Sequence, residues 1–274
     1  MTTMRLQSYL TTMFPNVQMK RPLFYNAPAG IRFTLTNQKG VWEREYMKNV
    51  YARAYEIFET LHEKNDELLL VFKANAAHHF QFYGQFLLDE FLLKEITKND
   101  GYWANKYAYQ LGVKYVDAFT IKNLDLQFES NRVRPFTYSH YDSATNYTHY
   151  NQFLAHPLGA NFQEFIGIAK YQPAPKWYIN ARAIYYYKGL DSAGIDFGGN
   201  PFELYTSRAS NYGYYVGSGR KVKCLNATLQ VSYELKENLF IDGGYLFRKY
   251  TGLANSNTLS LGIRWNAARR EYNY

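Results

Sequence analysis

Three of the chain's six histidines, His140, His149 and His156, fall with four tyrosines in residues 138–165, YSHYDSATNYTHYNQFLAHPLGANFQEF, and Glu129 and Glu164 stand at either side of the loop. Residues of these types could serve three chemistries. A zinc site needs three or four ligands converging at about 2.0–2.3 Å, usually supplied as closely spaced pairs. Here the histidines are nine and seven residues apart with no HExxH-like pair, which argues against zinc. Glu129 and Glu164 have the types of a glycosidase pair, but that chemistry depends on a carboxyl separation that spacing does not give. Both suit the polar face of a strand equally well. No catalytic residue, metal ligand or cofactor is therefore assigned, and the chain is expected not to be an enzyme.

The third chemistry is sugar contact. Tyrosine rings stack on the apolar faces of sugars, while Asn, His and Arg hydrogen-bond hydroxyls or carboxylates. On that reading the candidate contact residues are Arg134, Tyr138, Tyr141, Tyr147, His149, Tyr150, His156 and Asn161. The same residues could instead fold the loop inward and pack it.

What positions the loop is read from the rest of the chain. Its 274 residues suffice for one large or two small domains, and aromatic residues reach 19%, with 28 Tyr and 19 Phe, a bias toward strands and interfaces. No run approaches the ~18 apolar residues of a spanning helix, a test that barrels escape because their apolar residues alternate. The opening MTTMRLQSYLTTMFPNV lacks the charged start, apolar stretch and small-residue cleavage site of a secretory signal. One cysteine, Cys224, excludes an intrachain disulfide and reads as a small strand residue. The net charge of +8 favours anionic partners, but the basic residues are scattered and show no nucleic-acid-binding pattern, so nucleic acid is not expected.

Residues 1–75 read as a small α+β segment. Helices are expected over 5–13 and 43–63, the second with Tyr46, Val50, Ala54, Ile57, Phe58 and Leu61 on one face, and strands are expected near 31–35 and 67–73. From residue 76 the period shortens to two. In LNATLQVSYEL, Leu225, Ala227, Leu229, Val231, Tyr233 and Leu235 share one face, and Asn226, Thr228, Gln230, Ser232 and Glu234 the other. Related patterns at 80–91, 107–116, 124–129, 165–171, 177–188, 239–249 and 259–266 make about eight strands.

Short connections near 117–123, 172–176 and 236–238 alternate with long ones at 94–105, 135–161, 189–221 and 251–257, as in outer-membrane barrels. The expected fold is mainly β: an antiparallel, transmembrane-type β-barrel over 76–274, with Tyr102, Trp103, Trp177, Tyr185 to Tyr187 and Trp265 as interfacial aromatics. A soluble two-part protein with a β-rich carbohydrate-binding domain is the alternative, because antiparallel sandwiches also carry one apolar and one polar face.

The first part, through RPLFYNAPAGIRFTL and YARAYEIFETLHEKNDELLLVF, resembles a bacterial family of soluble domains of unknown function. Residues 76–274, through QFYGQFLLDEF, GYWANKYAYQLGVKY, NRVRPFTYSHYDSATNYTHYNQFLAHPLGANFQEF and LGIRWNAARREY, resemble the C-terminal part of capsule-assembly Wzi-like and gliding-motility-associated outer-membrane proteins. That resemblance implies part of a larger barrel in a Gram-negative outer membrane, with surface polysaccharide and membrane lipid as partners. The loop suggests that the polysaccharide is anionic. The chain reads as a fusion of two unrelated pieces joined near 73–79.

Overall fold

The computed structural model describes residues 30–32, 68–76, 78–142, 146 and 148–265. The two helices expected before residue 64 lie outside the described residues. Along the chain the strands are β1 (Gly30–Arg32), β2 (Leu68–Ala76), β3 (Phe80–Leu88), β4 (Tyr107–Tyr115), β5 (Leu124–Val133), β6 (Thr148–His149), β7 (Gln152–Phe153), β8 (Phe162–Tyr171), β9 (Trp177–Leu190), β10 (Arg220–Lys236), β11 (Leu239–Tyr250) and β12 (Ser256–Trp265). A single turn and a half of helix, Leu93–Lys98, interrupts the β3 to β4 connection.

Every stretch of two-residue alternation has become a strand. Ten strands form one sheet in the order β1-β2-β3-β4-β5-β8-β9-β10-β11-β12, antiparallel from β2 onward, while β1 joins β2 in parallel. The sheet does not close into a barrel; β1 and β12 are its edges among the described residues. β2 spans the position where the two parts were expected to meet, and it pairs with β3 along its whole length, from Leu68 opposite Leu88 to Ala76 opposite Phe80.

The described residues group into two units. One comprises the residues up to Val113 together with Glu129–Glu164 and Tyr187–Val222, and it contains the long connections 89–106, 134–161 and 191–219. These connections build cores of their own. Trp103, Ala104, Phe136 and Tyr214 are buried together, with Phe136 meeting Trp103 and Tyr214 edge-on at ring distances of 6.3 and 5.0 Å. Trp103 is therefore not at an exposed girdle: it packs against Tyr205 and carries the Arg208 guanidinium 3.8 Å over its ring. Gly198, at φ +66°, lets the backbone run against Phe136, whose N–H donates to its carbonyl at 3.0 Å; a Cβ there would strike the Phe136 ring. A second core joins Ala108, Val133, Tyr138, Ala160 and Phe162.

The other unit comprises Lys114–Phe128, Phe165–Tyr186 and the residues from Lys223 onward, with the short turns 116–123, 172–176 and 237–238. Its register fixes which side chains share a face. Leu229, Tyr245 and Leu259 form one cross-strand row, Val231, Gly243 and Leu261 the next, and Tyr233, Ile241 and Ile263 a third. On the opposite face lie Gln230, Gly244 and Ser260, then Ser232, Asp242 and Gly262, with Arg264 donating to Asp242 at 2.8 Å. A β-bulge between Glu234 and Lys236 ends this register.

In the first unit, the absence of a side chain at Gly112 on β4 leaves the space that Tyr83 of β3 fills, and from there the Tyr83 hydroxyl donates to Glu129 Oε2 at 2.7 Å. A Cβ at residue 112 would sit inside the Tyr83 ring. Gly112→Ala is expected to displace Tyr83, break that bond and lower stability by about 1–3 kcal/mol, read as a lower denaturant midpoint with unchanged slope.

Candidate functional site

Two carboxylates lie on strands β5 and β8, and both are held by one amide. Asn131 Nδ2 donates to Glu129 Oε1 at 3.0 Å and to Glu164 Oε2 at 2.8 Å. Glu129 also accepts from Gln110 Nε2 at 2.7 Å and from Tyr83, so β3, β4 and β5 converge on it. Glu164 also meets His156 Nε2 at 3.1 Å, and the Leu158 N–H donates to His156 Nδ1 at 3.2 Å. The proton of that neutral ring therefore sits on Nε2 and points at the carboxylate. The alternation of β5 explains the cluster: Glu129, Asn131 and Val133 share one face and are all nearly fully buried. A hydrolytic pair must admit a scissile bond between its carboxyl groups. Here an asparagine side chain occupies that place.

The eight loop residues do not gather at one point. Arg134 donates to the carbonyls of Tyr102 at 3.1 Å and Tyr214 at 2.9 Å, with its guanidinium over the Tyr107 ring, so it ties three connections together. Asn161, fully buried at φ +59°, donates through Nδ2 to the carbonyls of Phe197 and Ser218, each at 3.0 Å, and accepts from the Gly217 N–H at 2.7 Å. Tyr138 is in the core with Phe162. His156 lies against the Phe162 ring, with centroids 4.5 Å apart. Tyr141 and Tyr150 are the opposite case, 69% and 88% exposed, and His149 stands edge-on to Tyr150 at 4.2 Å. Tyr147 lies outside the described residues.

A second charged cluster gave no sign in the sequence. Lys106, just before β4, is fully buried: its ammonium donates to Glu90 Oε1 and to the Ser139 carbonyl, both at 2.9 Å, and lies 4.4 Å from the centre of the Tyr205 ring. Asp89 Oδ2 is 3.7 Å from that ammonium and has no hydrogen-bond donor. His140 Nε2 is 3.9 Å from the same oxygen, so Asp89, Glu90 and His140 are the residues that could share a cation. The Lys106 ammonium already supplies positive charge there, and a divalent ion would compete with it. The three loop histidines are in different settings: His140 at Asp89, His149 on the exposed hairpin, His156 at Glu164.

The strands and their packed connections define an antiparallel β-meander protein whose covered polar face carries this network. A family model described as a domain of unknown function (DUF3885) matches residues 6–110, which reaches β4 and includes Asp89, Glu90 and Lys106 but not the loop. No curated protein matches the chain.

Burial pushes the Asp89 carboxyl up to about 7 from its ordinary 3.8, with Lys106 pulling the other way and Glu90 adding to the rise. Between these values the unfolded chain holds the charge that the folded site resists. Stability from this group is therefore greatest below about pH 4 and falls as pH rises to about 7, by about 4 kcal/mol at ~1.4 kcal/mol per unit. Asp89→Asn is expected to flatten that part of the pH–stability profile, measured by denaturation at fixed salt.

Proposed function

We propose that residues 76–274 are part of an outer-membrane β-barrel of the surface-polysaccharide or gliding-motility class, without a catalytic role, and that the connection 134–161 meets a surface glycan through its exposed aromatic residues. The observation that carries this reading is the partition of polarity. A water-soluble sheet protein buries its apolar face and wets the polar one. In this sheet Leu229, Ile241 and Tyr245 of β10 and β11 share one face and are 41–44% exposed, while Ser232 of the opposite face is buried; Leu259, Leu261 and Ile263 continue that apolar face on β12, which is exposed on both sides. The same sense holds at Leu111 and Phe128, which are exposed on β4 and β5 while Glu129 and Asn131 are buried. An apolar band of this extent suits hydrocarbon, and a polar covered face suits the inside of a barrel.

Lipid tolerates no unpaired strand edge, so the proposed barrel closes through further strands paired at β12. Long connections of the kind that reach outward in such barrels are here folded onto one another by Arg134, Asn161 and Lys106. That arrangement leaves Tyr141, His149 and Tyr150 as the outward part, and aromatic rings that are exposed beside hydrogen-bonding groups are suited to sugar faces.

Two measurements test the reading. Spin labels at Leu229 and Gln230 in lipid-reconstituted protein should differ, the first reached by oxygen and the second by a polar relaxation agent; equal access would overturn the membrane assignment. Replacing Tyr141 and Tyr150 together by alanine should weaken retention of whole surface polysaccharide roughly tenfold, at ~1.4 kcal/mol per decade, without changing the circular dichroism. Unchanged retention would remove the glycan role.

A further inference from the structure

Beside the carboxylate cluster lies a cavity of about 320 Å³. It is near the lower end of the ~300–1,000 Å³ of small-molecule sites and has room for roughly ten waters at ~30 Å³ each. Part of its wall is apolar, from Leu87, Val133 and Tyr138, and part is amide, from Gln85, Gln110 and Asn131. Tyr109, Thr137 and His140 also stand in its wall, with Ala155 and His156 of the loop.

The bonding behind the wall decides what it can bind. Gln110 and Asn131 both spend amide N–H groups on Glu129, and Asn131 spends a second on Glu164. Gln110 keeps one N–H as well as its carbonyl oxygen, so the wall offers a donor and acceptors, while Asn131 has both N–H groups committed and its Oδ1 sealed from solvent. His156 offers little more, since Nε2 is directed to Glu164 and Nδ1 accepts from Leu158. No lysine or arginine lines the cavity among the described residues. The cations nearest in the fold are committed elsewhere, Lys106 to Glu90 and Ser139, and Arg134 to Tyr102 and Tyr214.

A cavity lined by amides without lysine or arginine and backed by two carboxylates disfavours anions. It suits a ligand whose hydroxyls both donate and accept and which has an apolar face. We infer that this cavity is a binding site for one neutral pyranose unit, with ring C–H groups on the apolar wall and hydroxyls hydrogen-bonded to the amides of Gln85 and Gln110. The inference rests on the reading that the chain meets a surface glycan. It makes the unit that enters the protein uncharged, whatever charge the rest of the glycan carries.

The test titrates the purified full chain with methyl glucoside, methyl galactoside and N-acetylglucosamine, and in parallel with glucuronate, galacturonate and glucosamine, by saturation-transfer NMR. At least one neutral sugar should bind in the millimolar range, with its uronate at least ~10-fold weaker. Ala155→Trp, which fills the cavity from an exposed loop position, should weaken binding by ~10-fold or more with unchanged circular dichroism. Gln85→Leu, which removes one amide and leaves the carboxylate network in place, should weaken it several-fold. Binding unaffected by both variants would put the sugar elsewhere and overturn the assignment. Uronate binding as tightly as the neutral sugars, or glucosamine binding more weakly than they do, would overturn the charge argument. If no monosaccharide binds while the Tyr141 and Tyr150 double variant still loses whole polysaccharide, the cavity is not a sugar site and the surface contact stands. If both fail, the glycan reading falls with it.

Discussion

The sharing of Asn131 between Glu129 and Glu164 is the constraint on which the rest of this arrangement depends. Two carboxylates taken out of water next to each other are unfavourable unless each is supplied with donors, and like charge makes the pair worse. The protein answers with donors from four elements: Tyr83 on β3, Gln110 on β4, Asn131 on β5 and His156 from the loop. Each donor is usable only if its strand is in the observed register, because a slip of one residue would turn Glu129 or Gln110 to the other face. The network therefore does for this sheet what an apolar core does for a soluble one: it makes one register preferable to its neighbours. It does so beside a small apolar cluster of Ala108, Val133, Tyr138, Ala160 and Phe162, which lies on the same covered face.

The long connections follow the same logic. Loops crossing a covered polar face must satisfy their own backbone groups. Asn161 meets four of them from one side chain, at a left-handed backbone position that asparagine tolerates better than most residues. Arg134 closes two carbonyls and Lys106 one. Buried cations are costly alone, and each is placed where aromatic faces and carbonyls replace water: Lys106 among Tyr205, Trp103 and Glu90, Arg134 over Tyr107. Such anchoring explains why Tyr138 and Asn161 are buried while Tyr141 and Tyr150 stand exposed, with Arg134 and His156 half-buried between them.

Much of the sheet was legible because its signal is local. Alternation of period two in 225–235 is enough to define β10 and its two faces, and the other strands were found the same way, with ends moving by a few residues where the ladder extends into less regular sequence, as in β5 beyond Glu129. The loop was legible only in its types. Nothing in the spacing of Arg134, Tyr138 and Asn161 distinguishes a sugar contact from a buried anchor, because that depends on carbonyls at Tyr102, Phe197, Tyr214 and Ser218, up to 80 residues away. Lys106 and Asp89 carried no motif at all. Asn131 could have been suspected, since it falls two residues from Glu129 on the same strand face, but its partner Glu164 is 33 residues on. Trp103 shows the opposite error: an aromatic beside strand β4 suggested a membrane interface, and packing among three connections used it as core.

The division of the loop also bears on how a glycan would be recognised. Exposed tyrosines such as Tyr141 and Tyr150 offer area and little selectivity, since any sugar has an apolar face. The cavity offers the reverse, a small volume in which the Gln110 amide is held by a carboxylate that cannot move without breaking the sheet's own network. Affinity spread over a flexible polymer and discrimination concentrated in one rigid unit are separable tasks, and preorganised groups discriminate well because they lose little on binding. The scattered positive charge of the chain would then act on the polymer at a distance, where screening makes it weak and general. Selection would then come from the two buried glutamates, whose charge would disfavour an anionic unit in the cavity.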